Sequence, residues 1–246
     1  MPISLKRQPK KTIKSITNDK IKILISKIQR MYPQAESELQ FENPYQCLVA
    51  VMLSAQTTDK QVNKITTNLF QQLKSPFDIK WISLEEITKK IKSINYYKNK
   101  AKYLRQLSYQ LIKINQEKKE KNLTSQEKEQ KTTFWFFIPE EESELIKLSW
   151  IGIKTAKVIE AIIFQKPTIA VDTHVHRVLN RIGIVKTKTP QETSQIINKI
   201  FPENLKKDAN NLLVLFWRYH CKAKNPQCNE CNFKEICNFY QTTPLK

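Results

Sequence analysis

Three observations predict an all-α fold. Apolar residues recur at helical spacing in several windows: Ile21, Leu24, Ile25 and Ile28; Leu104, Leu107, Leu111 and Ile114; and Leu212, Leu215, Phe216 and Tyr219. Helix-start signatures precede other windows, namely Asn43 before Pro44, Ser83 with Glu86, and Thr189 with Pro190 and Glu192. No segment shows the apolar–polar alternation of a half-buried strand.

Residues 1–17 are basic and polar and are expected to form a disordered tail. The run Lys6-Arg7-Gln8-Pro9-Lys10-Lys11 reads as part of that solvated tail rather than as a nuclear address. A first amphipathic helix follows from Asp19. After Asn43-Pro44 the stretch Cys47–Leu53 is apolar on all sides, which predicts a central buried helix. Residues 115–131 are charged and nearly devoid of apolar groups, so they suit a solvated helix extension or a flexible loop. The aromatic run at 132–138 has strand-like propensity but no partner strand, and is expected to pack into a groove.

The stretch 145–164 predicts a helix–hairpin–helix. A short helix ends near Ser149, a tight turn holds Gly152, and a second helix starts at Ile153 or Lys154 and buries Ala156, Ile159 and Ile163. Backbone N–H groups at such a helix start, here around Gly152 and Ile153, make a phosphate site. That site would position a polyanion without reading its sequence. Lys154 occupies the first helical turn, where the positive end of the macrodipole disfavours a second cation. A lysine there suits nucleophilic chemistry, although taken alone it reads better as one more surface lysine. Asp172 follows an apolar approach, Ile169-Ala170-Val171, and precedes a helix carrying Val178 and Leu179. It fits a helix N-cap worth about 1 kcal/mol, and the same carboxylate near an amine suits proton transfer.

The chain has 246 residues and a formal net charge of +19, which points to a polyanionic partner, nucleic acid first and acidic lipid second. Lysines that merely solubilise the chain are the bland alternative. No apolar stretch reaches the length of a membrane helix. Only two glycines occur, Gly152 and Gly183.

Four cysteines, Cys221, Cys228, Cys231 and Cys237, are spaced C-x6-C-x2-C-x5-C. The N-terminus lacks an apolar leader run, and Cys47 lies in an apolar stretch, which argues against disulfides. On spacing alone, a structural zinc and an iron–sulfur cluster both remain open.

Taken together, the hairpin lysine, the VDTH sequence at 171–174 and the cysteine spacing resemble the endonuclease III family of helix–hairpin–helix DNA glycosylase/AP lyases. The resemblance spans about residues 18–240 and extends to LSAQTTD at 53–59 and NYYKNKA at 95–101, the latter matching a segment that faces DNA. It implies a two-lobed fold. A six-helix barrel lobe (37–166) bears the hairpin, a helical iron–sulfur lobe (18–36 with 167–246) carries the cysteine loop at 221–237, and DNA lies in the cleft between them. It implies removal of oxidised pyrimidines through a Schiff base on Lys154, assisted by Asp172, with β-elimination cutting the strand 3′ to the lesion. It implies a [4Fe-4S] cluster on Cys221, Cys228, Cys231 and Cys237. Gln56 matches a residue that fills the gap left by a flipped nucleotide, and Tyr96 stands where the family commonly has a leucine wedge. Trp150, Gly152, Ile153, Lys222 and Lys224 fall at DNA-contact positions.

The family hairpin usually reads L-P-G-V-G, whereas here it is Leu148-Ser149-Trp150-Ile151-Gly152, so Trp150 replaces a glycine suited to positive φ. Asn95 likewise replaces a glycine, Phe216-Trp217 replaces a His-Gly pair, and 115–131 looks like an insertion. Catalysis is expected to survive these departures, with affinity or lesion preference the more exposed properties. The expected partner is double-stranded DNA with damaged bases or abasic sites, bound by a monomer. No membrane partner is expected. The expected compartment is the cytoplasm of a bacterium, at the nucleoid, or a nucleus or mitochondrion in a eukaryote. The alternatives are a monofunctional mismatch glycosylase and a DNA-binding iron–sulfur protein with little catalysis.

Overall fold

The protein, described by a computed structural model, is traced over residues 13–35, 38–124 and 136–243, and no strand occurs among them. In chain order the α-helices are α1 (Ile13–Met31), α2 (Pro44–Leu53), α3 (Asp59–Leu69), α4 (Leu84–Lys90), α5 (Tyr97–Thr124), α6 (Glu142–Leu145), α7 (Ile153–Ile162), α8 (Thr173–Ile182), α9 (Pro190–Ile200), α10 (Glu203–Leu215) and α11 (Asn238–Thr242). The chain divides into two compact units. One is continuous, Glu36–Lys166, and the other joins Met1–Ala35 to Pro167–Lys246.

In the continuous unit, α2 is the centre. Asn43 caps it by accepting a hydrogen bond from the Gln46 N–H at 3.0 Å. Pro44 sits at the first turn, where its missing N–H has no intrahelical partner to lose. Every residue from Tyr45 to Leu53 is buried, each large side chain contributing about 1.5–3 kcal/mol. Around it pack Val62, Ile65 and Leu69 of α3, Ile87 of α4, Leu104, Leu107 and Leu111 of α5, and Ala156 and Ile159 of α7. The Ser83 hydroxyl accepts from the Glu86 N–H and so starts α4.

Two caps are absent from the sequence-based expectation. Thr58 accepts from the Gln61 N–H ahead of α3, and Ser75 with Asp78 forms a full capping box at the 3₁₀ turn Pro76–Trp81.

The charged segment 115–131 is helical as far as Thr124, so the helix-extension reading holds there. Residues 125–135 lie outside the described residues, and with them the first part of the aromatic run. Of that run, Phe136 and Ile138 are buried in the core, which agrees with packing into a groove. The backbone of Phe137 is held by a side chain in place of a strand. Asn115 Oδ1 accepts its N–H at 2.6 Å and Asn115 Nδ2 donates to its carbonyl at 2.9 Å.

The discontinuous unit is built on the stripe Ile21, Leu24, Ile25 and Ile28 of α1, which packs with Leu212 and Leu213 of α10 and with Val175, Val178, Leu179 and Ile182 of α8. Helix α1 begins at Ile13, inside the segment 1–17 expected to be a tail, while residues 1–12, including the basic run, lie outside the described residues. Residues Phe216–His220 form a π turn closed by the Cys221 N–H on the Phe216 carbonyl at 2.8 Å. The wider turn shifts the apolar phase by one residue, so His220 is buried and Tyr219, expected on the buried stripe, is exposed.

Gly183 ends α8 at φ 84°, with its own N–H and that of Ile184 turned back to the Leu179 carbonyl. A Cβ there would run into the Asn238 side chain. No described helix is long and apolar enough to cross a membrane.

Candidate active site and cysteine centre

The hairpin is held from outside the turn. Helix α6 ends at Leu145, earlier than the Ser149 expected from sequence, and continues as 3₁₀-like turns through Leu148. The Ser149 N–H donates to Gln110 Oε1 of α5 at 2.7 Å. Leu148 and Ile151 anchor the turn in the core, and the Ile151 N–H closes on the Leu148 carbonyl at 3.1 Å. Between them Trp150 takes φ 73°, with its side chain half-buried against the same core. A left-handed conformation costs a side-chain-bearing residue about 1–2 kcal/mol. Gly152 is the N-cap of α7 at φ −94° and ψ 176°, extended backbone open to any residue. The hairpin's positive φ thus falls on tryptophan, two residues before its glycine.

What glycine supplies at 152 is room. It offers no side chain to cap α7, and an added Cβ would meet nothing within 4 Å. Gly152 and Ile153 are both solvent-exposed at the start of α7, where an oxyanion ligand would bind. Lys154 is exposed in the first turn of α7, and Ile153 is exposed beside it. Ion pairs brace α7 and the segment after it, Lys157 with Glu142 at 2.6 Å and Lys166 with Glu141 at 2.9 Å and with buried Glu160 at 3.6 Å. Those carboxylates raise the pKa of Lys166 against the opposing effect of burial, which is the larger single influence.

Two further loops of this unit carry Gln56 and Tyr96, both solvent-exposed and both left-handed, at φ 54° and 58°. Among the described residues, three of the five non-glycine residues with positive φ are therefore ones placed at DNA-contact positions by sequence. Such strain collects where surroundings fix a functional geometry. Asn95, which replaces a family glycine, is not among the residues with positive φ. Its Nδ2 instead donates to the Gln56 carbonyl at 2.7 Å. Lys100, in the segment expected to face DNA, points inward with 3% exposure. Its Nζ donates to Leu53 O at 2.8 Å, Ala55 O at 2.7 Å and Thr57 Oγ1 at 3.1 Å. Burial pushes its pKa down to about 8, while three oxygen acceptors favour the ammonium form, so it stays charged at neutral pH.

In the discontinuous unit, the Asp172 carboxylate caps α8, with Oδ1 accepting from the His174 N–H at 2.9 Å and the Val175 N–H at 2.8 Å. The extended segment before it is held by two asparagines. Asn198 Oδ1 accepts the Ile169 N–H at 3.0 Å and its Nδ2 donates to the Ile169 carbonyl at 3.1 Å. Asn210 Oδ1 accepts the Ala170 N–H at 2.7 Å and its Nδ2 donates to the Thr168 carbonyl at 2.7 Å. Neither asparagine was singled out from sequence, since nothing local in a helix marks a clamp on a segment about 30–40 residues away.

Cys221, Cys228, Cys231 and Cys237 line one cavity together with Arg181, Phe216, His220 and Phe233. Burial pushes the thiols of Cys221 and Cys228 up and that of Cys231 up to about 11. A cationic metal centre reverses that preference by stabilising thiolates. His220 Nε2 is buried there with no protein partner among the described residues. Among the described residues, no three His, Cys, Asp or Glu side chains are gathered around a single-ion site. Four cysteines facing one cavity are a donor set that an iron–sulfur cluster would fit.

Arg181 of α8 donates to Lys222 O at 2.7 Å and Ala223 O at 3.2 Å, and lies 3.7 Å from Cys221 Sγ. The His220 carbonyl accepts from both the Lys222 and the Gln227 N–H, closing a loop that exposes Lys222 and Lys224. Lys27 of α1 reaches the Asn232 carbonyl at 2.6 Å, which fastens the cysteine segment from the other side.

The profile of the HhH-GPD superfamily base excision DNA repair protein family matches residues 49–203, which include Lys154 and Asp172. Endonuclease III of Bacillus subtilis is 38% identical over 218 residues, covering 88% of this chain and 91% of its own. Endonuclease III of Thermotoga maritima is 33% identical over 221 residues, covering 90% and 93%. A trapped endonuclease III–DNA covalent intermediate, an estranged-adenine complex, superposes with a TM-score of 0.78 at 35% identity, covering 91% of this chain and 97% of that one.

Proposed function

The chain belongs to the endonuclease III family within the HhH-GPD superfamily, and from that premise we propose how its residues divide the work of excising a damaged base. It is a base excision repair DNA glycosylase with AP lyase activity. Its substrate in this reading is double-stranded DNA carrying oxidised pyrimidines or abasic sites, bound by a monomer at the bacterial nucleoid. The net charge of +19 supports a polyanionic partner.

The observation that carries the reading is the hairpin, an exposed Lys154 one residue into a helix whose start, at Gly152 and Ile153, is also exposed and suits a phosphate. The Lys154 amine attacks the sugar C1′ of an extruded nucleotide as the C1′–N bond to the base breaks. Asp172 assists departure of the base and the proton transfers that follow. The C1′–O4′ bond then breaks as O4′ takes a proton, the resulting Schiff base acidifies C2′, β-elimination breaks the C3′–O bond, and hydrolysis returns the amine. Extrusion costs a few kcal/mol, less for a damaged base. Gln56 fills the vacated gap, Tyr96 wedges the stack, and Trp150 shapes the turn that meets the backbone. Lys222 and Lys224 neutralise phosphates.

Cys221, Cys228, Cys231 and Cys237 would hold a [4Fe-4S] cluster, supported by their shared cavity and the unpartnered His220 nitrogen. When bound, the cluster supplies a structural centre that fixes the Lys222–Gln227 loop. Borohydride trapping tests the mechanism. Wild-type protein forms a covalent adduct on abasic DNA, and Lys154→Gln binds the DNA without forming it. Wild-type protein that binds but is never trapped would overturn the assignment.

A further inference from the structure

We propose that Lys100 and Asn95 are positioning residues that lock Gln56 and Tyr96 into one preformed wedge, an inference that rests on the reading that those two side chains enter the DNA stack. Gln56 and Tyr96 stand on separate loops, and both occupy the left-handed region at φ 54° and 58°. Neither residue adopts that conformation without help, so the surroundings must over-determine it.

Two side chains supply the help. Lys100 is buried, as among the described lysines only Lys206 also is, and burying an ammonium is unfavourable unless its donors are satisfied. All three are satisfied by residues that bracket Gln56, namely Leu53 O, Ala55 O and Thr57 Oγ1. Leu53 is the last residue of α2, whose C-terminal carbonyls form the negative end of the helix and suit a cation. Asn95 joins the second loop to the first through its bond to the Gln56 carbonyl itself. Tyr96, 63% exposed, follows Asn95 directly, so the tie that fixes Gln56 also fixes the start of the wedge.

A residue that must displace a stacked base works best when its geometry is set before DNA arrives. Lys100 and Asn95 therefore act through Gln56 and Tyr96, without touching the sugar. They matter where a stack must be opened and little where it is already open.

The test compares single-turnover excision of an oxidised pyrimidine from a fully paired duplex with excision from a three-nucleotide bubble. Lys100→Met is expected to slow the paired substrate by about 10-fold or more and the bubble by less than about 3-fold. Asn95→Ala shifts the same ratio in the same direction. In a variant that already carries both Gln56→Ala and Tyr96→Ala, adding Lys100→Met should slow paired DNA no further. Equal losses on both substrates, or a further loss in that background, overturn the proposal. If Gln56→Ala and Tyr96→Ala excise from paired DNA at the wild-type rate, the reading of those residues fails instead. Far-UV circular dichroism and borohydride trapping on abasic DNA report whether Lys100→Met is folded. If it is not, Asn95→Ala, altered at an exposed side chain, decides the outcome, and an unchanged ratio refutes the lock.

Discussion

Replacing Trp150 by glycine and by alanine separates the backbone demand of the hairpin from the packing of its side chain. At an exposed helical site such as Lys102, glycine is less stable than alanine by about 1 kcal/mol. At φ 73° the order should reverse. Alanine keeps the left-handed penalty of about 1–2 kcal/mol, whereas glycine escapes it and gives back about 0.5–1 kcal/mol in unfolded-chain entropy. Both variants lose the packing of a half-buried indole, roughly half of the about 3–5 kcal/mol that a fully buried aromatic contributes. Trp150→Ala should therefore fall about 2 kcal/mol below wild type, and Trp150→Gly about 0.5–1 kcal/mol less far. For a chain of this size the gap between the variants is about 1–4 °C in melting temperature. Thermal melts and urea midpoints of the cluster-loaded protein, with Lys102→Gly and Lys102→Ala as controls, measure it. Alanine equal to or above glycine at position 150 would refute the claim that backbone conformation constrains this turn.

Asp172→Asn keeps an oxygen for the two amide donors of α8, so its stability should stay within about 1 kcal/mol of wild type while base excision is lost. Asp172→Ala should lose activity and about 1 kcal/mol more of stability, read by denaturation beside a glycosylase assay. Removing Lys222 and Lys224 together should lower the slope of log affinity against log salt by about 2, from about 0.9 per phosphate contact, in fluorescence-anisotropy titrations. Gly183→Ala should destabilise by more than about 1–2 kcal/mol, because φ strain is joined by collision with Asn238. The C-terminal segment after Cys237 should then become the first site of proteolysis.

What the sequence made legible was local. Asn43, Ser83, Thr189 and Asp172 each satisfy a donor two or three residues onward, so a short window contains the whole interaction. The run to Leu53 read as buried because no face of it offers a polar side chain to water. What escaped depends on partners distant in sequence. Lys100 reads as one more surface lysine until carbonyls 45 and 47 positions earlier come into view. Residue preference alone favours left-handed backbone at Asn95 over Tyr96, but Tyr96 is the one that turns left, because tertiary ties decide it. Tyr219 and His220 exchanged burial because a single π turn is invisible to a fixed helical period.

The asparagine clamps give the protein a chemical clock as well as a shape. Asparagine is among the residues most easily lost to heat. Hydrolysis of the Asn210 amide would replace the Nδ2 that donates to the Thr168 carbonyl at 2.7 Å with a carboxylate oxygen, setting acceptor against acceptor. The segment leading to Asp172 would lose its anchor while every helix stayed folded. Heat-aged protein would then keep its circular dichroism and lose its turnover, and one added dalton on the peptide carrying Asn210 would mark the molecules that had run down.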